Sequence, residues 1–225
     1  MRRIKKVFIA VDTQNLKRAK YIIKQTKVKN LKIGYKFGLE FLNSKNGRSF
    51  ISKIKKETIF VDLKLNDIPN TMKSTLIALR DLKINYFTVH ISSGLKALKE
   101  VKKIANKTKI VGVTTLTSLN NSDLNNIGYS NTLKNIIIKQ SKLAKKANLD
   151  ALVCSPREVI IAKKFFKKEI ITPGIRLGNN YNDQKRVMSP KDAIKSGSDW
   201  LVIGRDITKG NIKKNIKKLL NHLKN

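Results

Sequence analysis

Three observations predict a single-domain α/β protein folded as a (β/α)8, or TIM, barrel over residues 1–225. Eight short apolar runs recur along the chain, and stretches with helical spacing fall between them. The runs are continuous rather than alternating, as in a parallel sheet covered on both faces. Polar residues gather where the runs end, and barrels of this kind carry their active sites at the carboxyl ends of the strands. A doubly wound open sheet would want a glycine-rich turn after its first strand, and Asp12-Thr-Gln-Asn15 is not one.

The elements follow in order. Val7 to Val11 is the first run and ends at Asp12, with a helix from about Leu16. Leu31 to Gly34 is a weaker second run that carries Lys32. Ile59 to Val61 leads into Asp62-Leu-Lys64, and Pro69 and Asn70 mark a loop beyond it. Met72, Thr75, Leu76 and Leu79 have helical spacing. Tyr86 to Val89 ends at His90, and Gly94 opens a helix. Ile110 to Val113 ends in Thr114-Thr-Leu-Thr117-Ser118. A helix near Thr132 to Ala147 is followed by Ala151 to Cys154, ending at Ser155. Ile170-Ile171 runs into Thr172-Pro-Gly174-Ile-Arg176. Trp200, read as a packing residue, opens the run that ends at Gly204-Arg205. Ile212, Ile216, Leu219, Leu220 and Leu223 stripe a terminal helix.

Composition narrows the class. The chain has 225 residues and is 40% hydrophobic, enough for one barrel core. No run is long and apolar enough to span a bilayer, so no membrane partner is expected. Asp12 follows the basic N-terminus too soon for a signal peptide. The single cysteine, Cys154, cannot form an internal disulfide, which fits a reducing cytoplasm. Lys plus Arg number 49 against 15 acidic residues, for a net charge of +34. Such a charge fits a nucleic-acid binder, but the lysines are spread through nearly every segment rather than gathered in a stripe. Lys, Ile and Asn all have AT-rich codons, so compositional bias accounts for the charge and no specific nucleic-acid partner is expected. The surface would still attract anions, a phosphorylated substrate among them.

The strand ends offer Asp12, Lys32, Asp62, Lys64, Thr117 and Arg205, with Asp67 just beyond the third. Residues two apart on a strand share a face, so Asp62 and Lys64 project together. Taken singly, each charge is a structural ion pair. Together, two lysines and two aspartates around one barrel mouth make an alternating array that keeps Lys64 protonated, ready to donate to a developing carbanion. Gly174 and Gly204 let backbone amides approach an anion, and Arg176 and Arg205 can fork onto phosphate oxygens. No metal set is apparent. Of the two histidines, His90 ends a strand as a structural or site residue, and His222 reads as a solvated face residue of the terminal helix.

Asp62-x-Lys64-x-x-Asp67-Ile68-Pro69-Asn70-Thr71 resembles the signature of the orotidine 5'-phosphate decarboxylase family. Further pieces occur in the family's order: Ile9-Ala-Val-Asp12, Leu31-Lys32-Ile-Gly34, Val89-His90, Val113-Thr-Thr-Leu-Thr117-Ser118, Asp150-Ala-Leu-Val-Cys-Ser155, Thr172-Pro-Gly-Ile-Arg176, Asp183-Gln184-Lys-Arg186 and Gly204-Arg205-Asp-Ile-Thr208. The resemblance implies that Lys64 protonates C6 of the pyrimidine, with Lys32, Asp62 and Asp67 completing the array. Asp12 would bind ribose, Thr71 would help hold substrate and Thr117 would contact the pyrimidine. Arg176, Gln184, Gly204 and Arg205 would grip phosphate. Asp67 and Ile68 would reach the neighbouring site of a homodimer. It implies orotidine 5'-phosphate as substrate, UMP as product, no cofactor and no metal. The family usually has Pro after the last Gly-Arg and often after Arg176; here Asp206 and Leu177 stand there. A carboxylate at 206 repels phosphate unless it turns away or pairs. Magnesium-dependent decarboxylases and aldolases of sugar phosphates share Asp-x-Lys-x-x-Asp, but theirs typically continues with small residues rather than Ile68-Pro-Asn-Thr71.

Overall fold

A computed structural model of the chain describes residues 5–178 and 187–224. Eight parallel strands close on one another in sequence order, β1 pairing with both β2 and β8. They are β1 (Lys6–Ala10), β2 (Lys32–Gly38), β3 (Thr58–Leu65), β4 (Tyr86–His90), β5 (Lys109–Val113), β6 (Ala151–Val153), β7 (Glu169–Thr172) and β8 (Trp200–Ile203). Between and after them run α1 (Leu16–Thr26), α2 (Leu39–Leu42), α3 (Gly47–Ser52), α4 (Pro69–Ala78), α5 (Gly94–Ile104), α6 (Asn121–Asn126), α7 (Leu133–Lys146), α8 (Val159–Phe165), α9 (Pro190–Lys195), α10 (Arg205–Thr208) and α11 (Ile212–Lys224). The predicted (β/α)8 barrel is the observed fold.

Strand pleating builds two cores from one set of strands. Val7 and Ile9 of β1 face outward and pack in the large layer shared with Ala19 and Ile22 of α1 and Ile212, Ile216 and Leu219 of α11. Phe8 and Ala10 face inward and join Phe60, Tyr86, Val111, Ala151, Ile171, Trp200 and Val202 inside the barrel. Trp200 stacks on Phe8 with ring centroids 4.0 Å apart, and Tyr86 meets both rings edge-on. Gly34 is where β2 lets the Phe8 ring in: a Cβ there would lie 2.5 Å from Phe8 Cε1. Below this aromatic layer, Glu169 is bound by Lys6 Nζ at 3.0 Å, Lys109 Nζ at 2.7 Å and the Tyr86 hydroxyl at 2.9 Å. The barrel is packed shut at its amino end.

Local chemistry explains the helix limits. Asn15 caps α1 by accepting from Arg18 N, and Thr132 caps α7 by accepting from Asn135 N. Pro69, expected in a loop, instead opens α4 at its first position, where a missing N–H costs nothing. The second strand is longer than its apolar run, reaching Gly38, because Tyr35 and Phe37 face the outer core while Lys36 between them faces inward.

Candidate active site

A cavity of about 240 Å³ opens at the carboxyl ends of the strands, large enough for a small organic molecule. Ala10, Phe60, Val113, Val153 and Val202 form its apolar base. Asp12, Lys36, Asp62 and Lys64 line one side. Thr115, Leu116 and Thr117 follow β5, while Gly174 and Arg176 follow β7 and Gly204 and Arg205 follow β8.

The charged residues form a continuous chain. Lys36 Nζ lies 3.3 Å from Asp12 Oδ1 and 3.4 Å from Asp62 Oδ2. Lys64 Nζ donates to the same Asp62 oxygen at 2.9 Å. Thr88 of β4 donates to Asp62 Oδ1 at 3.1 Å, so both carboxylate oxygens are held. Burial pushes Asp62 upward, but Lys36, Lys64 and the bonds from Lys64 and Thr88 outweigh it and hold the carboxyl below its usual range. Burial likewise pushes Lys36 down, and Asp62 and Asp12 together hold it above the usual lysine value. The central Lys36–Asp62 pair is therefore held in its charged form, with Asp12 and Lys64 at the two ends of the alternating chain.

Lys64 is not on a regular strand. Its φ is +51°, and the β3–β4 register shifts between Val61 and Leu65. Left-handed backbone costs a residue with a side chain about 1–2 kcal/mol. Lys64 N donates to Thr88 Oγ1 at 2.8 Å, so the hydroxyl that orients Asp62 also fixes this bulge. One threonine thus couples the Lys64 backbone to the carboxylate that Lys64 binds.

Lys32 does not belong to the array. It opens β2 opposite Lys6, exposed, with Nζ 6.0 Å from the centre of the Trp200 ring at the closed end. Lys36 lies four residues further on, about 13 Å along the strand at about 3.3 Å per residue, and supplies the second ammonium. Lys36 and Thr88 are the site residues that sequence reasoning missed. Lys36 left one signal, a lysine between two outward aromatics just before Gly38; Thr88 left only a hydroxyl within an apolar run.

The other expected residues divide into three groups. Asp12, Thr117, Arg176, Gly204 and Arg205 line the cavity. Asp67, Ile68 and Thr71 are exposed and lie outside its lining, with Asp67 Oδ1 accepting from Ile68 N at 2.7 Å. Gln184 lies outside the described residues. His90 is half-buried, with Nδ1 2.8 Å from Ser92 Oγ; burial, then Lys64, lowers its pKa. His222 corrects its expected solvated role, since its half-buried Nε2 donates to the Leu177 carbonyl at 3.3 Å. Asp206 does turn away from the cavity, and its carboxylate takes the Leu177 amide at 2.7 Å.

A profile described as the Orotidine 5'-phosphate decarboxylase / HUMPS family matches residues 5–218. The chain belongs to this family. A relative named orotidine 5'-phosphate decarboxylase from Wolbachia sp. subsp. Brugia malayi is 42% identical over 224 residues, covering 95% of this chain and 96% of its own. Another of that name, from Wigglesworthia glossinidia brevipalpis, is 43% identical over 214 residues, covering 90% of each. Among solved structures, orotidine 5'-phosphate decarboxylase from Lactobacillus acidophilus superposes with a TM-score of 0.83 at 27% identity, covering 98% of this chain and all of that one. The Methanocaldococcus jannaschii orotidine 5'-monophosphate decarboxylase, complexed with the inhibitor BMP, gives 0.80 at 25% identity and covers 99% of this chain and all of that one. This member of the decarboxylase family has no helix among its described residues long and apolar enough to cross a membrane.

Proposed function

We propose that this chain decarboxylates orotidine 5'-phosphate to UMP and carbon dioxide, the last step of de novo UMP synthesis. The observation that carries the proposal is the alternating array Asp12–Lys36–Asp62–Lys64, facing across one cavity from Arg176 and Arg205. The arginines, the Gly204 amide and Gln184 grip the phosphate. Asp12 and Lys36 hold the ribose hydroxyls, and Thr117 contacts the pyrimidine. The substrate carboxylate then lies beside Asp62, whose own charge is fixed by two ammonium groups and a hydroxyl.

The C6–carboxylate bond breaks with its electron pair left on C6, and carbon dioxide departs. Lys64 passes a proton to C6, and its neutral amine regains one from water. Charge held ready at the point where the carbanion develops is the strongest general means of lowering such a barrier. No cofactor or metal takes part in this scheme. Asp67 and Ile68, exposed at the start of α4, reach the neighbouring site of a homodimer and complete the array there.

The test follows the ultraviolet change of orotidine 5'-phosphate with excess chelator present. Turnover by the wild type and none by Lys64→Ala supports the proposal. The family's description also names a second branch, HUMPS. Turnover of a sugar phosphate that requires added magnesium, with none of orotidine 5'-phosphate, would move the chain to a metal-dependent activity.

A further inference from the structure

We propose that Asp206 is a positioning residue that locks the backbone carrying Arg176 to the backbone carrying Arg205, presetting the pair for a phosphate; this rests on the phosphate-gripping reading above. The two arginines come from different strand ends, and Asp206 and Leu177 are the residues immediately after them. The Asp206 Oδ2–Leu177 N bond, at 2.7 Å, joins those two positions directly, between the segments that follow the neighbouring strands β7 and β8. A carboxylate bound to a backbone N–H is among the stronger hydrogen bonds in proteins.

The peptide it grips is held from every side. The Leu177 side chain is only 4% exposed, and its carbonyl accepts from His222 of α11. On the other side of Arg176, Arg176 N donates to Met188 O and Met188 N donates to Gly174 O, both at 3.1 Å. Gly174 has φ +77°, a backbone that a side chain would strain. The Arg176 backbone is thus bracketed by a two-bond bridge before it and a carboxylate clip after it. The Arg205 backbone is tied to the same clip from α10.

Asp206 also brings a negative charge one residue from a guanidinium meant for an anion. As a bare charge it repels phosphate; as a clip it favours it. The two effects have opposite signs, so substitution separates them. Asparagine keeps an acceptor oxygen and loses the charge. Alanine loses both, and glutamate keeps the charge but carries it off the amide.

The experiment measures UMP binding by calorimetry, UMP and uridine as competing inhibitors of turnover, and KM and kcat, in wild type, Asp206→Asn, Asp206→Ala and Asp206→Glu. Thermal melts check folding. Alanine and glutamate are expected to weaken UMP about tenfold, the effect of one lost hydrogen bond, and to raise KM by the same factor. Uridine and kcat should change by less than about twofold. Asparagine should bind UMP at least as tightly as wild type. Should the alanine variant not fold, the glutamate variant decides alone. UMP binding by alanine and glutamate that equals wild type would overturn the clip, and so would equal weakening of UMP and uridine. A folded wild type that neither turns over orotidine 5'-phosphate nor binds UMP would overturn the functional reading, and the clip with it.

Discussion

Replacing Lys36 by methionine removes an ammonium and keeps most of the stem's bulk. Its two partners respond differently. The Asp12 side chain is 56% exposed, so losing that pair costs about 0.5 kcal/mol. The Asp62 side chain is 10% exposed. Stripping a buried carboxylate of its partner costs about 3–5 kcal/mol, but Lys64 and Thr88 remain on Asp62 and halve that, to about 2 kcal/mol. The expected loss is therefore about 2–3 kcal/mol at pH 7.

The pH dependence follows from the sign of the shift. Asp62 sits below its unfolded value of 3.8, so its contribution is complete above that pH and fades as pH falls through the lower folded value. Lys36→Met raises the folded value, and the stability gap to wild type closes in acid. Turnover should fall by about 10²–10³, as for loss of one preorganised charge. Lys32→Met is the control: exposed and at the closed end, it should stay within about 0.5 kcal/mol of wild type and keep full turnover. Urea unfolding at pH 7 and in acid, with initial rates of decarboxylation, reads both variants. An inactive Lys32→Met beside an active Lys36→Met would refute the assignment, as would a Lys36→Met variant as stable as wild type at pH 7.

Further expectations concern strain, packing and the closed end of the barrel. Lys64→Ala and Lys64→Gly should both be inactive, but the glycine variant should unfold about 1 kcal/mol later because it relieves the left-handed backbone; equal stability would place the strain elsewhere. Gly47→Ala would set a Cβ 1.7 Å from the Phe41 carbonyl oxygen, so backbone must move, and a loss of about 3 kcal/mol or more is expected in thermal melts. At the barrel's base, burial pushes Glu169 up while its bonds to Lys109, Lys6 and Tyr86 pull it down further, to about 2 from 4.5. Its stabilisation is complete above the unfolded value and is lost as pH falls toward 2. After solvent screening of this partly exposed group, Glu169→Gln should cost about 1 kcal/mol at pH 7 and much less at pH 2, measured by unfolding at both.

The barrel is legible because its strands are covered on both faces. Runs such as Val7 to Val11 and Ile110 to Val113 carry no polar side chain at inward or outward positions, so they stand out as blocks. The second strand breaks that rule. Its inward positions are Lys32, Gly34, Lys36 and Gly38, so apolar bulk sits only at the outward Ile33, Tyr35 and Phe37, and the apolar run stops four residues before the strand does. The lysine assigned to the site was therefore two pleat repeats too early, facing the right way at the wrong end. Asp62 and Lys64 are legible as a pair, but the bulge at Lys64 is not, since nothing in a lysine announces a positive φ. Asp206 is visible as an unexpected carboxylate; its partner is a backbone amide 29 positions away, which no local pattern encodes.

The stacked rings of Phe8 and Trp200, with the Glu169 cluster beneath them, make the cavity a cul-de-sac. Phe60 belongs both to that aromatic layer and to the cavity wall, so nothing passes below it. Among the described residues, entry and exit share one doorway. In the proposed reaction the gas is made deepest and the phosphate is held nearest the rim. Carbon dioxide must then slip out past the nucleotide or wait for it to go, and any contact that tightens the grip at the rim slows traffic in both directions.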